Sequence, residues 1–591
     1  MTDEFKKDRS SSSEPKEDII IEAPVEEEES SSSDQAASDG TQPVIGSSSA
    51  LPNIFIYDDA EEKRRKSAKK GKSASLSSQK RLIVLALAVV MILGGVYAVL
   101  QATVLKEILA PEITVDAWND PIGPNGRYFV IPEYTKDDIQ EIIISNQYGD
   151  FRYYRGEDNE LYFDGAEYLT YNPESISNLV VNTYYMLSMK HLMEYEDDLS
   201  VYGLTEDTCL AKVRITMLDK TTYKNVHYSL MIGNKILTEG GYYAMLDGKD
   251  AIFILDTTLE ESFLADIKTF FVAQIAPKID QSLYFNITDF VVEKNGEKFV
   301  EIVHLSEEEK KAEAYSDSHK MLYPGNYVPS ATNFSTTILQ CFISPIGEKV
   351  VEYDIFKYLN SDKKEDQEKF VNILKEYKII NEEGKYAHKV SYYFDDNEED
   401  DTPGTTTTLY IGDLVDGYYY VYSLMFDVIA AIPQDIYKWI DWDLIKYVES
   451  GIFSMFINDV ASIEVNAGGE KVKFDISYVN EGKGDDLTVL CNGKKIDTKN
   501  FRQYYMALLY IQNGGYASME DAEGLDPSAT IKVTTAKGIE REYVFYDIAT
   551  RKSYYTIDGK GEFYVSRDYI KKLASDTVKV QKNEPVIGDE F

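Results

Sequence analysis

The sequence predicts an α+β protein, with a single N-terminal transmembrane helix followed by about three tandem repeats of an antiparallel sheet with a packed helix. Three observations predict it. One uncharged run near the N-terminus is long enough to span a bilayer. Beyond it the chain shows period-two patterning rich in tyrosine, broken by single amphipathic helices. The same turns and strands then recur further along the chain.

The run in "RLIVLALAVVMILGGVYAVLQATVLK" holds no charge from Leu82 to Leu105, a stretch of 24 residues. A helix of about 20 residues crosses the hydrocarbon core. Lys63, Arg64, Arg65, Lys66, Lys69, Lys70, Lys72, Lys80 and Arg81 precede it, and Lys106, Glu107, Glu112 and Asp116 follow. That asymmetry places the N-terminus in the cytoplasm and residues beyond about 106 outside. The preceding segment is too long for a signal-peptide n-region and no small-x-small site follows, so an uncleaved signal anchor is expected. Residues 1–81 are low in complexity ("EEEESSSSDQAASDG", then a basic block) and are expected to be disordered, because so few large apolar side chains cannot offset ordering entropy. The basic block adds attraction for anionic headgroups. "KKGKSAS" is no phosphate loop, since the first glycine of that motif falls at Lys66.

Tyrosine, at 46 residues against 25 Phe and 3 Trp, suits half-buried strand surfaces where the ring packs and the hydroxyl stays wet. The net charge is −40, and residues 82–591 carry 48 Lys+Arg against 84 Asp+Glu. Such a surface repels phosphate backbones, so nucleic acid is excluded as a partner of the main body. Cys209, Cys341 and Cys491 lie more than a hundred residues apart and form no metal or disulfide framework.

The repeats appear when segments are set side by side. "GGYYAMLDGKDAIFIL" (240–255) returns as "KSYYTIDGKGEFYV" (552–565), and "YGLTEDTCLAKVRI" (202–215) matches "EGLDPSATIKVT" (523–534). "NITDFVVEKNGEKFVEI" (286–302) matches "DVASIEVNAGGEKVKFDI" (459–476), and "TLYIGDLVDGYYYVYS" (408–423) matches "SLMIGNKILTEGGYYAML" (229–246). Each unit reads as hairpin, helix, then meander with a closing helix. The helical faces are Val181, Tyr184, Tyr185 and Met189 in the first unit, Phe370, Ile373, Leu374 and Tyr377 in the middle one, and Phe501, Tyr504, Tyr505 and Leu508 in the last. The units are placed at 125–270, 280–448 (divergent, with an acidic insertion) and 455–578, and 579–591 reads as a frayed tail. Asp247-Gly248, repeated at Asp558-Gly559, predicts a type I′ hairpin turn with both residues at positive φ and Lys249 solvated at its tip.

The order of Gly-Leu strand (Gly203-Leu204), Ile-Gly strand (Ile232-Gly233), Tyr-Tyr hairpin (Tyr242-Tyr243) and "AIFILD" strand resembles the bacterial domain-of-unknown-function 4340 (DUF4340) family, most clearly over 180–265. The resemblance implies a bacterial envelope-anchored protein and an accessory role, some members accompanying auxiliary components of gliding-type ABC exporters. It supplies no catalytic residues. The third copy lacks the Ile-Gly strand, and the middle one lacks the Asp-Gly-Lys turn and the Gly-Leu signature.

No catalytic, cofactor-binding or metal-ligating residue is assigned. His191, His227, His304, His319 and His388 form no HExxH motif or close pair in sequence. There is no Gly-x-Ser-x-Gly elbow. The run Asp395, Asp396, Asn397, Glu398, Glu399, Asp400, Asp401 has an acid where a calcium loop needs its sixth-position glycine, and Thr406 at the twelfth, so it reads as a solvated loop. The leading expectation is a non-catalytic membrane-anchored extracytoplasmic accessory or scaffold protein that binds a protein partner. A glycan- or peptide-binding module built on Tyr-rich strands comes second, and a membrane-anchored hydrolase last.

Overall fold

The computed structural model describes residues 121–589 with Thr114 and Val115, apart from 193, 238–239, 316, 396–403 and 479–486. The expected tail 1–81 and span 82–105 lie outside the described residues. Among those described, no helix is long and apolar enough to cross a membrane. Thr114–Val115, a short strand, and the turn Pro124–Gly126 belong to a separate small unit. From Arg127 on, the described chain is one compact body.

That body contains three antiparallel sheets with one topology. Numbering strands one to eight within each unit, the spatial order is 3-2-1-5-6-7-8-4. In the first unit, in chain order, they are Ile139–Asn146, Gly149–Arg155, Leu161–Phe163, Leu187–Leu192, Ala211–Asp219, Lys224–Lys235, Tyr242–Leu246 and Ile252–Leu255. In the second they are Thr288–Lys294, Glu297–His304, His319–Tyr323, Lys349–Tyr353, His388–Phe394, Thr405–Ile411, Tyr418–Ser423 and Val428–Pro433. In the third they are Val460–Ala467, Glu470–Tyr478, Leu487–Cys491, Asn513–Tyr516, Ala529–Thr535, Glu540–Ala549, Lys552–Ile557 and Lys560–Ser566. Every segment pair quoted above falls at the same station of this order. The sheets alternate inward apolar and outward side chains, as in Val460–Ala467, and the inward set forms a continuous core through all three units.

A helical segment joins strands three and four in each unit: Pro173–Tyr184, Ala331–Ile338 running into Leu339–Phe342, and Thr498–Leu509. The last buries Phe501, Tyr504, Tyr505 and Leu508 as the spacing predicts, and Asp497 caps it by accepting from the Asn500 amide. The first departs from expectation. Asn172 caps it and Pro173 sits in its first turn, but it ends at Tyr184, and its buried residues are Leu179 and Thr183. Val181 is exposed, and Met189 belongs to strand four. The apolar run continues past the helix because a strand takes it over, with a different period.

The helix of Phe370 and Leu374 does form, as Lys364–Glu376, but it lies between strands four and five rather than three and four. It is an insertion, and the counterpart of Pro173–Tyr184 is Ala331–Phe342. A closing α-helix is present in the third unit, Arg567–Gln581, whereas the first closes with the short turns Thr257–Glu261 and Ile267–Phe270. The tail is docked rather than frayed as far as Asp589. Val586 is buried, its amide donates to Asn500 Oδ1 at 2.8 Å, and the Gly588 amide donates to Gln503 Oε1 at 3.0 Å.

The turn at Asp558-Gly559 has both residues at positive φ, 53° and 80°, as type I′ demands. At Asp247-Gly248 only the glycine does, at 81°. Met245 pairs with Ile252, so a longer connection bridges this hairpin and the demand for a I′ turn disappears.

Candidate functional site

The first sheet turns one face to the core and carries the segment 194–210, between strands four and five, across the other. Two glycines fix where that segment lands. A Cβ on Gly233 would sit 2.2 Å from the Tyr202 carbonyl oxygen, and Gly203 adopts φ +70° with its own Cβ position 2.7 Å from Asn234 Oδ1. The Gly-Leu and Ile-Gly pairs thus meet as backbone on backbone, which side chains would prevent. Leu204 is buried by this contact.

The second unit repeats the contact with other residues. A Cβ on Gly412 would lie 2.5 Å from the Tyr377 carbonyl oxygen. Lys378 takes the left-handed conformation of Gly203, at φ 56°, and Ile379 is buried like Leu204. So Tyr377-Lys378-Ile379 stands where Tyr202-Gly203-Leu204 stands, and the signature absent from the middle copy survives as conformation. In the third unit Gly524 is left-handed at φ +75°, yet its Cβ position meets nothing and Leu525 is 41% exposed. Without an Ile-Gly strand there, the loop rests on the sheet through the buried Ala522 and not through a glycine-on-glycine contact.

Beside this anchor the first unit keeps an open groove of about 640 Å³, lined by Leu199, Leu204, Arg214, Met231 and Met245 among others. Through Ser145, Glu206 and Lys212 it joins a second depression of about 830 Å³ that holds Cys209, Lys235, Tyr242 and Glu260. Its charges are mostly paired. Lys212 pairs with Glu206, and Lys235 lies 2.5 Å from Glu260, which also accepts from the Tyr242 hydroxyl at 2.8 Å. Those hydrogen bonds, from Lys235 first, hold the Glu260 carboxyl below its ordinary range. Burial and then the bond to Glu260 push Tyr242 up to about 12. Burial raises the Cys209 thiol against the pull of Lys212, and its sulfur donates to the Glu206 carbonyl at 3.8 Å. A thiol raised in this way is a poor nucleophile, and no histidine lines either depression. The groove presents shape, apolar surface and paired charge, which suits recognition.

The histidines go elsewhere. His304 and His319 face each other on neighbouring strands with ring centroids 5.2 Å apart, a pair that sequence spacing hides. His319 is buried, with Nε2 3.2 Å from the Ile287 carbonyl oxygen, and burial, then His304, lowers it to about 4. His388 Nε2 lies 3.8 Å from Asp441, which accepts from the Tyr419 hydroxyl at 2.5 Å. Nearby, Lys294 donates to the Trp442 carbonyl at 2.8 Å. These contacts tie the turn Lys438–Asp441 to the second sheet. His227 Nδ1 meets Thr216 Oγ1 at 3.1 Å, and His191 stacks on Tyr128 at 4.0 Å. Among the described residues no cluster of three or more His, Cys, Asp or Glu is placed to hold a metal. The acidic run after Asp395, residues 396–401, lies outside the described residues.

Many of the tyrosines are buried, in the main core or under the inserted helix. Tyr315, Tyr392, Tyr410, Tyr419, Tyr422 and Tyr437 are among the largest fully buried side chains. Exposed ones such as Tyr148, Tyr223 and Tyr510 sit on different units or edges.

The chain is thus an array of three related sheet-and-helix modules with an open groove on the first. Residues 164–337 match the family described as Domain of unknown function (DUF4340), a stretch running from the first sheet into the second and containing both anchor glycines, Gly203 and Gly233. No curated protein and no solved structure matches the chain.

Proposed function

We propose that the chain is a non-catalytic, membrane-anchored extracytoplasmic accessory or scaffold protein that binds a protein partner in a bacterial transport or cell-envelope complex. The observation that carries this reading is the groove of the first unit, where half-buried Met231, Met245 and Leu199 stand open beside paired charges. Methionine-lined surfaces adapt to protein partners. The run Leu82–Leu105 supplies the anchor and the orientation, and the resemblance to envelope-anchored proteins supplies the setting.

The test is a photo-reactive amino acid placed at Met231 and, as a control, at Tyr410, followed by irradiation of living cells. The reading expects a discrete adduct with one envelope protein from Met231 and none from Tyr410. A chain that forms no intermolecular adduct from Met231 or from neighbouring Met245 is no groove-dependent scaffold.

A further inference from the structure

The second unit shows what fills this groove when it is filled. Strand register makes the two faces directly comparable. In the first unit Met231 pairs with Lys212 on one side and Met245 on the other, and Met245 pairs with Ile252. In the second, Tyr410 pairs with Lys389 and Tyr422, and Tyr422 pairs with Ile429. Met231 therefore corresponds to Tyr410, Met245 to Tyr422 and Lys212 to Lys389.

Tyr410 and Tyr422 have no exposed surface. The inserted helix Lys364–Glu376 covers them, burying Phe370 and Leu374 into a small core separate from the main one. The Phe370 and Tyr422 rings are 5.9 Å apart. Phe370 and Leu374 are four residues apart, the spacing that stacks two side chains on one helical face. The helix ends at the anchor point shared by both units. Immediately before that anchor the first unit has only the single turn Leu199–Tyr202, and Met231 and Met245 remain half-buried.

The floor differs in charge at two stations: Ser145 pairs with Lys212 where Glu293 pairs with Lys389 in the second unit, and the other difference is Arg214. Arg214 follows Lys212 by two residues on strand five, where the second unit has Ser391 following Lys389. Arg214 is exposed and makes no ion pair with any described residue. A ligand carrying a carboxylate beside its apolar pair would meet it.

We infer that the open groove of the first unit is a docking site for an amphipathic helix of a partner protein, with large apolar side chains at i and i+4 and a carboxylate placed to meet Arg214. This rests on the partner-binding reading above and specifies the chemistry of the partner. Helix-in-groove recognition needs this combination of an apolar trough and a few anchor side chains.

The probe is a fluorescently labelled peptide of residues 363–378 of this chain, "KKEDQEKFVNILKEYK", titrated against the full-length protein by anisotropy. Saturable binding is expected. It should weaken about tenfold or more when Phe370 and Leu374 of the peptide become alanine, or when the protein carries Met231→Glu. Arg214→Glu, on an exposed residue whose replacement leaves the fold intact, should weaken binding in a salt-dependent way. Absence of saturable binding, or binding indifferent to both Met231→Glu and Arg214→Glu, overturns the proposal. Self-association of the chain that Met231→Glu abolishes would assign the groove to a second copy and also overturns it. If the peptide fails while Met231 still crosslinks to an envelope protein in cells, this inference falls and the partner-binding reading stands.

Discussion

The outer faces of the first and second sheets are built on one register and finished in opposite ways. Tyr410 and Tyr422 are sealed under Phe370 and Leu374, whereas Met231 and Met245 line an open groove. The strands are not what differs. The sealing comes from a 13-residue helix inserted just ahead of the shared anchor, where the first unit spends a four-residue turn. One module can therefore be a recognition surface or an internal joint, depending on the length of a single connection. The residues beneath follow that choice. Rigid aromatic rings sit under a fixed cover, and flexible thioethers sit where the cover is absent.

The comparison yields graded expectations. The largest effect belongs to the sealed face: Phe370→Ala should cost about 3–5 kcal/mol in chemical denaturation, because the ring is fully buried and its loss leaves a cavity. A cost near zero would mean that the helix does not seal the sheet.

The next is a pH effect confined to the second unit, which buries His319. The folded value of about 4 lies below the ordinary 6.5, so folding favours the neutral ring. Its stabilisation is therefore complete above pH 6.5 and is lost as pH falls toward 4, by about 3 kcal/mol. His388, lowered by burial and then by Lys294, acts in the same direction. Denaturation across that window should show the loss, and His319→Gln should reduce it to the part that His388 contributes.

A smaller effect tests the shared anchor. Gly233→Ala and Gly412→Ala each drive a methyl group into a backbone carbonyl and should cost about 1–3 kcal/mol apiece. Similar losses of thermal stability from both would show that the two loops are held in the same way. The smallest effect belongs to the open face, where Met231→Ala should change stability by about 1 kcal/mol or less. A large loss there would mean that Met231 is packed as Tyr410 is.

Local and recurrent features were legible in the sequence. The turns and strand pairs of "YYAMLDGKDAIFIL" and "YYTIDGKGEFYV" repeat because equal stations in a sheet impose equal patterns, and the face of Thr498–Leu509 follows its spacing. The rest depended on contacts distant in sequence. Val181 to Met189 reads as one helical stripe because period alone does not reveal that a strand begins at Leu187. The inserted helix looked like the module's own helix because both are short and amphipathic. The His304–His319 pair needs strand register to appear. The groove needs Gly203 pressed on Asn234, and only the unexplained Gly-Leu and Ile-Gly pairs hinted at it.

The most direct measurement is hydroxyl-radical footprinting of the isolated full-length chain, with each residue normalised to its own rate in the unfolded state. Met231 and Met245 should react while Tyr410 and Tyr422 stay protected until the second unit unfolds. Equal protection of all four would contradict the central claim, because the first sheet would then be as sealed as the second.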